Sequence, residues 1–293
     1  MKRLDVIIPV YNEELPVVRD TIKRLRTSLG QGNDTTIIVV DDGSDEKHGL
    51  QELESEEGIV FLRHPENRGY GSALKTGISR GTAPWIAITD ADGTYPVESI
   101  PMLVKEMDKA DMVVGSRTGN VREIPWLRRL PKNMLNSLAS YMAGTRVRDL
   151  NTGMRVFSRE LCEQLWPFFP RRFSFTSTLT MGAHLGGFRV EEKTIDYFKR
   201  TGASSISPFK DTVKFGHIIL RMGIMFHPLK LFAPIAALIG LFGAAKAVRD
   251  IIVVSHIGNL AVMTMLAALQ IILMGYLAEL IVYSRLWKRI DRE

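Results

Sequence analysis

Thr36-Ile37-Ile38-Val39-Val40-Asp41-Asp42-Gly43-Ser44-Asp45 is a run of β-branched residues that breaks off into carboxylates around a glycine. A short apolar run bounded by turn residues reads as a buried strand, and the acidic turn marks its end. The same arrangement stands upstream, where Leu4 to Pro9 leads into Tyr11-Asn12-Glu13, and downstream, where Trp85 to Thr89 leads into Asp90-Ala91-Asp92-Gly93. In an open α/β sheet, ligands bind outside the carboxyl ends of the strands, so the three acidic turns are expected to converge on one crevice. Carboxylates gathered there repel one another unless a cation lies between them. Two aspartates one residue apart, just after a buried strand, suit a hard divalent ion that bridges to substrate phosphates.

Between these strands the pattern alternates. Leu15 to Ser28 places Val17, Val18, Ile22 and Leu25 at near-helical spacing, Leu50 to Glu57 reads as a short acidic helix, and Ile59 to Leu62 as a third strand. Helix Gly71 to Arg80, helix Val97 to Lys109 and strand Met112 to Gly115 follow. Strands alternating with helices predict a mainly parallel, doubly wound α/β sheet. Gly69-Tyr70-Gly71 is no dinucleotide fingerprint, because Leu74 stands where the third glycine belongs and Gly77 comes too late.

Two long apolar stretches lie near the end of the chain. Leu231 to Ala245, with its flank from Pro228, and Ile257 to Ala278, with apolar residues on to Tyr283, approach or reach the roughly 20 residues that span a bilayer. Neither shows the polar face of a soluble helix. Lys210, Lys214, Arg221 and Lys230 precede the first span and Arg285, Lys288, Arg289 and Arg292 follow the second, whereas the connection carries only Lys246 and Arg249. By the positive-inside rule both termini are expected in the cytoplasm of a multi-pass membrane protein. Met1-Lys2-Arg3-Leu4 runs straight into a strand without an apolar leader, and a single cysteine, Cys162, forbids an intrachain disulfide. Pro208 to Phe226, with Lys210, Lys214, His217 and Arg221 near one helical face, reads as an interfacial helix. Glu279 in the second span predicts either a contact between protomers of a homo-oligomer or a side chain snorkelling to the interface.

Pro9-Val10-Tyr11-Asn12-Glu13, Asp41-Asp42-Gly43-Ser44 and Asp90-Ala91-Asp92, in this order and spacing, resemble the inverting family-2 glycosyltransferases with the GT-A fold. Within that family the chain looks like the dolichyl-phosphate mannose synthase and polyprenyl-phosphate glycosyltransferase branch, over roughly the first 205 residues. It implies a Rossmann-like GT-A domain over residues 1–207, to which the apolar and charge patterns add a juxtamembrane amphipathic helix over 208–227, a two-helix transmembrane hairpin over 228–284 and a basic cytoplasmic tail over 285–293. It also implies a donor site built from Pro9, Tyr11, Glu13, Val40, Asp41, Asp42, Asp90, Ala91 and Asp92 for a UDP- or GDP-linked sugar. Asp41 is expected to read the base, and Asp92, with Asp90, to hold Mg²⁺ or Mn²⁺ beside the diphosphate. Histidine- or cysteine-rich spacing for zinc is absent from the sequence.

The acceptor is expected from the basic and apolar stretch that follows Gly115-Ser116-Arg117. Arg122, Trp126, Arg128, Arg129 and Lys132 lead there into an apolar segment, Met134 to Met142. A pI near 9.4 admits nucleic acid, but no nucleic-acid-binding pattern is present. A polyprenyl (undecaprenyl or dolichyl) phosphate suits cations beside an apolar surface at a bilayer. Arg117, Arg129 and Lys132 are the expected phosphate grip and Arg200 a second clamp, with Asp90, Asp92 and Arg117 forming the catalytic set. The family's Ser-Lys is Ser204-Ser205 here, which removes one cation. Asp149-Leu150-Asn151-Thr152-Gly153-Met154-Arg155 resembles the family's Asp-x-x-(Ser/Thr)-Gly-Phe-Arg segment, either as an acceptor element or as a strand edge and helix cap. The expected reaction transfers one sugar with inversion. A processive polysaccharide synthase would carry a Gln-x-x-Arg-Trp motif, which is absent, and a catalytically inactive nucleotide-binding scaffold would not need Asp90, Asp92 and Arg117 intact.

Overall fold

The computed structural model describes residues 3–30, 34–117, 136–170, 174–198 and 208–290. The chain divides into two units, Met1–Phe215 and Gly216–Glu293. The first contains a seven-stranded sheet in the order β3-β2-β1-β4-β6-β5-β7. Its strands are β1 (Leu4–Val10), β2 (Thr35–Asp41), β3 (Ile59–Arg63), β4 (Trp85–Ile88), β5 (Met112–Arg117), β6 (Arg155–Ser158) and β7 (Val190–Ile195). Every pairing is parallel except those of β6, which runs antiparallel to both β4 and β5.

Period-2 alternation assigns the faces of the central strands. Val6, Ile8 and Val10 of β1 and Ile37 and Val39 of β2 pack in one core with the buried stripe Val18, Ile22, Leu25 and Leu29 of helix α1 (Leu15–Leu29). On the opposite face Ile7 and Val40 meet helix α2 (Tyr70–Arg80), where a Cβ added to Gly77 would fall 3.1 Å from Val40 Cγ2. The helix foreseen over Val97 to Lys109 is shorter. Pro101 enters the first turn of helix α3 (Ile100–Lys105), and 3₁₀ turns flank it at Val97–Ser99 and Glu106–Asp108. Leu50–Ser55 is likewise 3₁₀. Strands β6 and β7 were not foreseen, and β5 runs two residues beyond Gly115, which sets Arg117 on the sheet edge.

Helical residues 136–143 (α4), helix α5 (Arg159–Leu165) and helix α6 (Phe175–Leu185) complete this unit. Ser158 Oγ caps α5 by accepting the Leu161 N–H at 3.1 Å, and Cys162 is buried within it. Helix α7 (Pro208–Phe226) continues the chain into the second unit.

That unit contains a hairpin of α8 (Pro228–Val254) and α9 (Asn259–Ile290). Pro228–Val254 and Asn259–Val282 contain 18-residue stretches of mean hydropathy 1.9 and 2.1 and are each long and apolar enough to cross a membrane. Leu238, Leu241, Ile252 and Met263 are largely exposed along them. Small residues let the two backbones approach, since a Cβ on Gly243 would lie 2.6 Å from Thr264 Oγ1. A carboxylate closes each end of the pair. Glu279 Oε2 accepts the Leu229 N–H at 3.1 Å, and Asp250, paired with Lys246, accepts the Gly258 N–H at 3.3 Å. Glu279 therefore caps the first turn of α8 within its own chain, an arrangement that neither expected role described.

Candidate active site

β1, β2, β4 and β5 run parallel, β5 through the intervening β6, so Tyr11, Asp41, Asp90 and Arg117 all stand at the same edge of the sheet. Tyr11 is exposed there. The two turns beside it are laced together. Asn12, at φ 54°, donates its backbone N–H to Ser44 Oγ at 2.8 Å, and its side-chain oxygen accepts the Asp45 N–H at 2.9 Å.

Asp41 and Asp42 are both buried and serve different neighbours. Asp41 Oδ1 accepts the Ser44 N–H at 2.9 Å, and its Oδ2 faces Arg63 Nε at 3.4 Å. Asp42 is engaged inside the protein. Its Oδ1 meets His64 Nδ1 at 2.6 Å and the Arg68 N–H at 3.0 Å, while Oδ2 accepts the Gly69 N–H at 2.7 Å. Gly43 has φ +76° and lies so close to the Glu66–Asn67 backbone that a Cβ there would collide with it. Val40, expected in the donor site, is enclosed against α2, and Pro9 and Ala91 are also buried.

Asp90 and Asp92 are half-buried on the turn after β4, and Glu13 is half-buried on the turn after β1. Thr94 holds Asp92 Oδ1 through its hydroxyl at 2.6 Å and its N–H at 3.1 Å. The Tyr70 hydroxyl, at the first residue of α2, donates to Asp90 Oδ1 at 3.1 Å. Burial first, and then the Asp90 charge, raise the Tyr70 pKa well above the ordinary phenol value, so the hydroxyl stays a donor. Tyr95 is pushed up to about 12 by burial and by Asp90, and its oxygen accepts the Gly153 N–H at 2.7 Å.

Arg117 is held from several sides. Asp149 takes its Nε–H at 2.7 Å, Nη2 at 2.8 Å and backbone N–H at 3.2 Å. The guanidinium also lies 5.2 Å over the Tyr197 ring, which meets Tyr95 edge-on at 5.3 Å. These ring contacts join Arg117 to the turn that carries Asp90 and Asp92. Burial opposes the charge on Arg117, and the hydrogen bonds and charge of Asp149 outweigh it, so its pKa is raised. Burial likewise pushes Asp149 up, and Arg117 holds it below the usual carboxylate range. Beneath them Arg155 is fully buried and donates to the Thr176 and Thr152 carbonyls and to Thr180 Oγ1; burial lowers its pKa to about 10.

Tyr70, Tyr95, Tyr197 and the Arg117–Asp149 pairing were missed in the sequence, where a tyrosine ring carries no sign of its neighbours. Arg129, Lys132 and Arg200 lie outside the described residues.

Among the described residues no group of three or more His, Cys, Asp or Glu side chains is arranged to hold a metal ion. Two adjacent half-exposed carboxylates fit a divalent ion that takes its remaining oxygens from substrate phosphates and water, the usual habit of Mg²⁺.

Residues 5–166 match Glycosyl transferase family 2, and residues 227–283 match the GtrB C-terminal hairpin. The chain belongs to glycosyl transferase family 2. It is a glycosyltransferase with a GT-A domain followed by two long apolar helices, and the hairpin match points to membrane association. An uncharacterised protein of Methanocaldococcus jannaschii is 33% identical over 219 residues, 70% of this chain and 87% of that one. A dolichyl-phosphate hexose transferase of Haloferax volcanii is 29% identical over 224 residues, 75% of this chain and 93% of that one. Among solved structures, glucosyl-3-phosphoglycerate synthase from Mycobacterium tuberculosis in complex with Mn²⁺, UDP and phosphoglyceric acid superposes with a TM-score of 0.60 at 17% identity, over 76% of this chain and 78% of that one. At that identity the likeness is one of fold.

Proposed function

We propose that this glycosyltransferase moves one sugar, with inversion, from a nucleotide sugar to a polyprenyl phosphate at the cytoplasmic face of a membrane. One observation carries the reading. Arg117, fixed by Asp149 and Tyr197, stands at the sheet edge that also bears Asp90 and Asp92, so an anion-binding guanidinium adjoins a carboxylate pair suited to a metal–diphosphate. The apolar hairpin and the relative named for dolichyl phosphate support a lipid acceptor.

Asp92, with Asp90, would hold Mg²⁺ or Mn²⁺, which when bound neutralises charge on the nucleoside diphosphate leaving group. Tyr11 and Asp41 would receive the nucleobase. A phosphate monoester, with a second pKa near ~6, is mostly dianionic at neutral pH and needs no general base to attack. Arg117 would orient it. Its inner edge is occupied by Asp149, and Nη1 carries no hydrogen bond among the described residues, which suits a guanidinium that keeps its anchor while turning an outer edge to phosphate. The phosphate oxygen bonds to the anomeric carbon as the bond to the nucleoside diphosphate breaks, so an α-linked donor gives a β-linked lipid monophosphate sugar.

The test is nucleoside diphosphate release from a panel of UDP- and GDP-sugars, with polyprenyl phosphate or the unphosphorylated polyprenol as acceptor. Release that depends on the phosphate is expected. Equal transfer to both lipids would overturn the acceptor reading.

A further inference from the structure

We infer that Tyr70 is a positioning residue for Asp90, which it holds toward the donor diphosphate with the Gly153 backbone as the opposing wall. The inference rests on the donor-site reading of the turn after β4. Its starting point is Asp42, whose carboxylate fastens the backbone N–H groups of Arg68 and Gly69 at 3.0 and 2.7 Å. Those two residues lead directly into α2, so the second carboxylate of the β2 turn fixes where the helix begins. Tyr70 is its first residue and reaches across to Asp90 Oδ1 at 3.1 Å. Gly153 packs so close to the same carboxylate that a Cβ there would stand 2.5 Å from Asp90 Oδ2 and 3.0 Å from its Cγ, so any side chain at 153 would displace Asp90. Gly153 is in turn fixed by donating its N–H to Tyr95 at 2.7 Å.

The chemistry of the donor matters. A phenol orients a carboxylate through a hydrogen bond while leaving its charge whole, whereas a lysine or arginine at the same place would neutralise it. Such a partner suits a carboxylate whose charge is kept for a ligand, here the metal–diphosphate of a nucleotide. It also gives Asp42 a part in the donor site without any contact to the donor, through the start of α2 and the Tyr70 ring.

The experiment uses the full chain in detergent and measures UDP and GDP affinity with and without Mn²⁺, for wild type, Tyr70→Phe, Gly153→Ala, Asp90→Asn and Tyr70→Phe/Asp90→Asn. Tyr70→Phe removes one oxygen and keeps the ring, and Gly153→Ala disturbs Asp90 from the opposite side. Each should weaken Mn²⁺-dependent nucleotide binding about tenfold and leave metal-free binding unchanged. The double variant should bind no worse than Asp90→Asn alone, because the hydroxyl acts only through that carboxylate. Wild-type affinity in both Tyr70→Phe and Gly153→Ala would overturn the inference, and so would additive losses in the double variant or a parallel loss of metal-free binding. Absence of Mn²⁺-dependent binding in the wild type would overturn the donor-site reading beneath it.

Discussion

Replacing Asp149 by Asn tests whether Arg117 is held by a charge or only by shape. Asparagine keeps one oxygen for one arm of the bidentate pair and turns an N–H₂ group toward the other donor. Removing one partner of a fully buried pair costs about 3 to 5 kcal/mol. Here the Arg117 and Asp149 side chains keep 26% and 11% exposure, and the Tyr197 ring still covers the guanidinium, so about 2 to 3 kcal/mol is expected. For a domain of this size that lowers the thermal midpoint by about 5 to 10 °C. Asp149 titrates below the usual carboxylate range when folded, so its contribution is present above the unfolded value near ~3.9 and is lost as pH falls through the folded one. Thermal scans of the detergent-solubilised chain should show the full gap between wild type and variant at neutral pH, closing below about pH 4. Transfer to polyprenyl phosphate should fall about tenfold to a hundredfold. A variant with wild-type melting and transfer, or a stability gap that persists undiminished into acid, would refute the reasoning.

Asp92→Asn should remove most transfer without lowering the melting temperature, and full activity of this folded variant in chelator would sink the metal assignment. Cysteines introduced at Ser28 and in the C-terminal tail should both be shielded from an impermeant label in sealed cells while one at Ser255 reacts; Cys162 is buried and should stay silent. Labelling of the tail alone would mean an odd number of crossings. Glu279→Gln keeps an acceptor for the Leu229 N–H and should be tolerated, whereas Glu279→Leu should lose about 1 to 3 kcal/mol. Equal heat inactivation of those two variants would show that the cap contributes nothing.

The parts of the fold that local physics dictates were legible. β1, β2 and β4 announce themselves because β-branched runs end in turn residues, and α1 because its apolar stripe keeps helical spacing. β6 escaped notice for a specific reason: it has four residues and begins with an arginine, which a sequence reading sends to the surface. In the fold Arg155 is enclosed by the Thr152 carbonyl and, more than twenty residues further along the chain, by the Thr176 carbonyl and Thr180 hydroxyl of α6. β7 reads Val-Glu-Glu-Lys-Thr-Ile with most positions partly exposed, the pattern of an edge strand rather than a core one. In the site, residue types were legible and pairings were not. Arg117 and Asp149 lie 32 positions apart, and only the antiparallel return through β6 brings them together.

The same distinction separates carboxylates that look alike in the sequence. Asp42 and Asp149 end strands or open motifs as Asp90 and Asp92 do, yet Asp42 takes backbone N–H groups and an imidazole, and Asp149 takes a guanidinium. Those partners complete the turns at the sheet edge that bears Asp90 and Arg117. Asp90 and Asp92 take hydroxyls from Tyr70 and Thr94. A hydroxyl fixes direction and does not cancel charge, so these two contacts orient the carboxylates. On the proposed reading, a divalent ion carried in on a diphosphate would be the ligand that such carboxylates receive. The acidic motif alone marked Asp90 and Asp92 as the expected place for such an ion, and the donors around each carboxylate set these two apart from Asp42 and Asp149.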